Sequence, residues 1–237
     1  MSKIILDLCG GTGAWSKPYA DAGYNVKLIT LPEYSVMRND IGNNEVIFYP
    51  THDPHYSGGM SVAYSDIYGI LAAPPCTEFS LAKNGSSIER NFEEGMKIVH
   101  ACLKIIWACQ QRHKLNFWAL ENPLGLLRRF LGRPKYTFKQ WEFGDLGVKP
   151  TDIWGYFNEP KKTVFEVPEG ITKRYKSGSV NSLAWGAPKQ AGYEQMNLSR
   201  ADLRAITPVG FAKAFYKANA KEGVKKTVKD KEVKNLV

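Results

Sequence analysis

The first thirty residues constrain the fold more than any other stretch. "KIILDL" is a short apolar run ending in Asp7, "CGGTGAW" is a glycine turn, "SKPYADAGY" has the composition of a helix, and "NVKLIT" is a second apolar run. The order strand, glycine turn, helix, strand opens a doubly wound, mostly parallel α/β sheet. The turn matters beyond topology. Glycine lets the backbone approach a ligand where a Cβ would collide, with a helix amino end behind it.

Further along, "EVIFYP" and "YGILAAP" are rich in the β-branched and aromatic residues that fully buried strands prefer. Residues 89–113 place Met96, Val99, Leu103, Ile106 and Cys109 at three and four spacing, which predicts a long amphipathic helix with Cys102 and Cys109 in or near the core. "LNFWALENP" is the next buried strand. Runs ending at Asp7, Pro74 and Glu121 thus each deliver polar or reactive residues at a strand's carboxyl end, where open α/β sheets bind ligands.

At 237 residues, 43% hydrophobic and 12% aromatic, the chain suits one packed α/β domain rather than two. After Gly155 the sequence becomes rich in Gly, Pro, Lys and Ser, and residues 156–198 read as a short basic insertion on a core formed by 1–155. Helix signals return over 199–220, where Ser199 and Asp202 resemble a capping box ahead of "PVGFAKAFYKANAKEG". Residues 221–237 read as a flexible lysine-rich tail.

The formal charge of +9 and pI near 9.3 predict attraction to polyanions, nucleic acid being the commonest. No run approaches the roughly 18 apolar residues of a membrane span, and the start reads as a strand rather than a signal peptide. A cytoplasmic protein is expected. Cys9, Cys76, Cys102 and Cys109 show no C-x-x-C spacing, so neither a metal site nor a disulfide framework is indicated.

The chemistry sits in "APPCTEFS" and "ALENP". Two prolines after a strand fix the chain and place Cys76 at the opening turn of the next segment, where nearby helix amides would favour the thiolate. The alternative is a buried cysteine beside a proline turn. Glu121 ends an apolar strand with Asn122 and Pro123 fixing the turn; it is either a working carboxylate or a capping or salt-bridging acid. The glycine turn alone suits nicotinamide, flavin and S-adenosylmethionine enzymes alike.

Together these motifs resemble those of the cytosine-5 DNA methyltransferases, which use S-adenosylmethionine on a Rossmann-like sheet. "DLCGGTGAW" is similar to the first family motif, "PPCTEFS" to the catalytic motif, "ENP" to the glutamate motif and, loosely, "TPVGFAKAFYKAN" to the closing motif. The resemblance implies Cys76 as nucleophile, with Glu121 and Asn122 at the base edge. It implies Asp7, Gly11, Gly13, Trp15, Glu33 and Pro74 at the S-adenosylmethionine site, Asp53 and Asp66 being weaker candidates than Glu33 for the ribose. Pro75, Ser80, Pro123, Lys149 and Thr151 are the implied substrate contacts.

Departures are also plain. Ala14 replaces the last glycine of the first motif, Cys9 its usual phenylalanine, and the closing motif lacks its Gly-Asn pair. The glutamine and arginine motif that contacts the base oxygen is absent; "KPTDIWGYF" stands there, offering Lys149 or Thr151. About 45 residues replace the family's whole target-recognition domain, as in compact relatives carried by phages and mobile elements, and Lys161, Lys162, Lys173, Arg174 and Lys176 are candidates for a phosphate-binding surface there. The expected partner is double-stranded DNA. The same chemistry on a free pyrimidine nucleotide or RNA, and a non-catalytic protein retaining the cofactor fold, are the alternatives.

Overall fold

The computed structural model describes residues 3–84, 86–145, 147–169, 172–174, 180–182 and 205–220. In chain order the elements are β1 (Ile4–Leu8), α1 (Lys17–Asp21), β2 (Asn25–Ile29), β3 (Tyr34–Ile41), β4 (Glu45–Pro50), β5 (Met60–Ala63) and β6 (Ile67–Ala72). There follow α2 (Phe92–Arg112), β7 (Phe117–Pro123), α3 (Arg128–Leu131), β8 (Tyr136–Lys139), β9 (Pro150–Tyr156), the short pair β10 (Thr172–Arg174) and β11 (Val180–Ser182), and α4 (Val209–Asn219).

Six strands form the main sheet in the order β2-β1-β6-β7-β9-β8. β2, β1, β6 and β7 run parallel, and β9 is inserted antiparallel between β7 and β8. Every residue of β1 and β6 is buried, as expected of central strands covered on both faces. Alternate residues serve the two layers. Leu6, Leu8, Ile70 and Leu120 pack with Val99, Cys102 and Ile106 of α2, while Ile5, Leu71, Phe117 and Ala119 pack with Trp15, Tyr19 and the α4 residues Phe211 and Phe215. The α/β architecture with helices on both faces is therefore present, and Cys102 and Cys109 are core residues.

One expectation is corrected. "EVIFYP" is not a fully buried strand; as β4 it is the centre of a separate antiparallel sheet, β3-β4-β5. Its residues alternate between half-buried and buried, Val46 and Phe48 facing the core, which is the pattern of a one-sided antiparallel strand rather than a fully buried parallel one. "YSVMRNDI", which forms β3, mixes polar and apolar residues without a hydrophobic run, so the sequence carries no strand signal of its own there.

Beyond β9, Phe157 is buried against Phe215, and Asn158 and Asn219 exchange hydrogen bonds of 2.7 and 2.9 Å. Asp145 accepts from the Gly210 and Phe211 amides and so caps α4. The "SRADLR" capping box, Lys176 and the lysine-rich tail lie outside the described residues.

Candidate active site

Because β1, β6 and β7 are parallel neighbours, their carboxyl ends meet on one edge, and Asp7, Pro74 to Cys76, and Glu121 to Pro123 arrive there together.

At the end of β1 the chain turns through Cys9 (φ 57°), Gly11 (φ 56°) and Gly13 (φ 71°), left-handed conformations that two glycines meet without strain. A Cβ on Gly11 would meet nothing, so this backbone faces open space. A Cβ on Gly10 would lie 2.4 Å from the Asp7 carboxyl, so the turn passes directly over that acid. Asp7 is fully buried; Ser16 Oγ donates to its Oδ2 at 2.5 Å, and Oδ1 has no partner among the described residues. Burial pushes its pKa up to about 7 despite the Ser16 hydrogen bond.

The Gly11 amide donates to Thr30 Oγ1 at 3.2 Å, tying the turn to the end of β2, and Glu33 stands exposed three residues on. Asp66 lies at the opposite edge, ahead of β6, and Asp53 is engaged by the amides of His55, Ser57 and Gly58 in its own loop. Trp15 is 1% exposed and packs edge-on to Phe215 at 5.3 Å, in the aromatic layer beneath the turn.

At the end of β6, Pro74 is buried, Pro75 exposed and Cys76 part-exposed. The helix expected to begin at Cys76 does not form. The Phe79 and Ser80 amides close a tight turn onto the Cys76 carbonyl at 3.0 and 2.8 Å, and the chain runs on in short turns to α2. The reason is local: the loop is braced by its own side chains. Arg90 donates to the carbonyls of Glu78 and Ser80 at 2.7 and 2.9 Å, Glu78 pairs with Lys83 at 2.6 Å, and Phe79 is buried between Phe92 and Phe130.

At the end of β7, Asn122 Nδ2 donates to the Pro74 carbonyl at 2.9 Å, joining the two strand ends directly. Asn122 Oδ1 is buried without a partner among the described residues. Strand alternation puts Glu121, like Asp7, on the face covered by α1 and α4. Glu121 keeps some solvent contact, yet its carboxyl lies deep in the protein. Desolvation pushes its pKa above the usual carboxylate range, Lys149 pulling it back and Asp152 adding to the rise.

β9 brings the remaining residues in. Thr151 pairs with Pro123 and Asp152 with Asn122, and Pro150 accepts the Leu124 amide at 2.9 Å. Lys149 is thus carried to the Glu121 side, while Thr151 is buried beside Pro123. Ser80 is bridged to Gly125.

Ser16, Arg128 and Asp152 carry no signal strong enough to single them out in the sequence. Ser16 makes the Asp7 hydrogen bond. Asp152 is fully buried and held bidentately by Arg128, both contacts at 2.6 Å, with Thr137 adding a third at 2.7 Å. The available hint was an acid inside the apolar run "TDIWGY".

Against this geometry, the chain is 28% identical over 152 residues to the type II methyltransferase M.DdeI of Desulfomicrobium norvegicum. It is a distant homologue of a type II methyltransferase. The match covers 61% of this chain and 34% of that protein, so the chain spans about a third of the relative's length. No family model matches the chain. Among the described residues, no helix is long and apolar enough to cross a membrane.

Proposed function

We propose that the chain transfers the methyl group of S-adenosylmethionine to carbon 5 of cytosine in DNA, with Cys76 as nucleophile and Glu121 as the acid that grips the base. The observation that carries this reading is the Asn122 to Pro74 hydrogen bond, which fixes the strand end bearing Glu121 to the turn bearing Cys76. The distant type II methyltransferase relative supports methyl transfer in general.

The residues present fit the methyl donor. Its methionine end offers an ammonium group, and Asp7 offers a buried carboxylate oxygen without a partner among the described residues, under a backbone turn with open space at Gly11. Asp7, Gly11 and Gly13 would hold that end, and Glu33 the ribose. When bound, the donor supplies an electrophilic methyl group.

The chain's own residues do the rest. Carbon 5 of cytosine is a weak nucleophile. The Cys76 thiolate adds to carbon 6, forming an S–C bond and moving ring electrons toward carbon 5. Glu121, whose burial favours the protonated carboxyl, donates to ring nitrogen 3 and takes up the charge that develops there. Once carbon 5 is substituted, a base removes its proton, the S–C bond breaks and the thiolate returns. Lys149, beside Glu121, is suited to the base oxygen that the missing glutamine and arginine motif would contact.

Nucleoside analysis of DNA from cells expressing the chain tests this. Expected is 5-methylcytosine that disappears in Cys76→Ser while donor binding persists. Methylated RNA or free nucleotide beside unmodified DNA would transfer the chemistry to another substrate, and donor binding without any methylation would leave a binding protein.

A further inference from the structure

We propose that the α3 turn holds DNA phosphates beside the Cys76 edge, through Arg129 and Arg133. The inference rests on the DNA-methylation reading and assigns it a docking surface.

From Pro123 to Lys139 the sequence has five cations and no acid. Three ties fix this stretch to β9 and the residues after it. Arg128 is committed to Asp152, and the Gly132 carbonyl accepts from Trp154 Nε1 at 3.0 Å. Lys135 donates to the Phe157 carbonyl, with its ammonium 4.7 Å from the centroid of that ring. Arg129 and Arg133 remain exposed, and neither side chain has a partner among the described residues. Two guanidinium groups on a braced turn, with no acidic partner among the described residues, suit phosphate, whose oxygens match their planar fork.

The turn is also joined to the catalytic loop. The Leu126 amide donates to the Phe79 carbonyl at 2.8 Å, Gly125 bridges Ser80, and Phe130 packs on Phe79 at 5.8 Å. The Phe79 amide in turn closes onto the Cys76 carbonyl. A strand held at Arg129 and Arg133 therefore lies next to the residues proposed for chemistry, without the basic segment beyond Gly155.

The test is a salt titration of duplex binding by the full chain, comparing the parent with Arg129→Gln/Arg133→Gln and with Lys104→Gln/Lys114→Gln, exposed lysines of α2 and the loop after it. Each phosphate contact contributes about −0.9 to the slope of log K against log salt, so losing two should flatten it by roughly 1.8. The arginine variant should show that flattening with donor binding and melting temperature unchanged, and the lysine variant should keep the parent slope. A parent that methylates DNA but whose slope survives loss of both arginines overturns the inference alone. A parent that neither binds nor methylates DNA overturns the reading and the inference together.

Discussion

The two flanks of the candidate catalytic edge carry opposite charge. On the β2 side, residues 30–63, which build the β3-β4-β5 sheet, contain Glu33, Asp40, Glu45 and Asp53 against the single Arg38. On the β7 side, residues 123–139 contain five cations and no acid. Asp53 is kept ionised by its own loop, chiefly by the Gly58 amide, which holds its carboxyl below the usual range. Arg128, by contrast, is neutralised by Asp152, and its charge braces the turn. In the proposed reaction the methyl donor is cationic at two positions and DNA is a polyanion, so the flanks would sort the two substrates to opposite sides of Cys76. Net charge alone shows only a surplus of +9; its distribution carries the functional information.

The largest effect should come from removing the chemistry between the flanks. Cys76→Ser should lower methyl transfer by about 10⁴-fold or more while both ligands still bind. Turnover near the parent value would take Cys76 out of the mechanism, and loss of both ligands would mean that the edge was never divided. Glu121→Gln should cost about 10²- to 10³-fold in kcat, because an amide can donate to ring nitrogen 3 but cannot deliver a proton. A change within a few fold would contradict its role.

Asp7 tests the donor side through pH. Its folded pKa of about 7 lies above the ordinary 3.8, so the folded state holds its proton longer than the unfolded chain. The stability this contributes is full below about pH 4 and is lost as pH rises through about 7. In denaturation of the apo chain, parent stability relative to Asp7→Asn should therefore fall by roughly 4 kcal/mol between those limits. A difference that stays flat would show that Asp7 is not so desolvated. The smallest effect is expected at the exposed Glu33. Glu33→Gln should raise the donor KM by about two- to fivefold and leave the salt slope for DNA unchanged. An altered DNA slope would show that the flanks are not independent.

Much of the edge was legible because apolar runs ended in chemically awkward residues: Asp7 before glycines, Cys76 after two prolines, Glu121 before Asn-Pro. Parallel pairing then brought those ends together, as an open sheet must. The illegible parts depended on partners distant in sequence. Arg128 and Asp152 are 24 residues apart and meet because β9 runs back antiparallel along β7. β3 became a strand through pairing with β4 rather than through its own residues. The basic turn at Arg129 and Arg133 is less conspicuous in the sequence than the lysines beyond Gly155, because composition does not show which charges a fold neutralises.

The most direct measurement is covalent trapping: the chain incubated with radiolabelled methyl donor and DNA containing 5-fluorocytosine, then resolved on a denaturing gel. Fluorine at carbon 5 cannot leave as a proton, so an adduct through Cys76 stalls before the S–C bond breaks. The proposed mechanism predicts a labelled protein–DNA complex that is lost in Cys76→Ser. No complex, from protein shown to bind the donor, would contradict it.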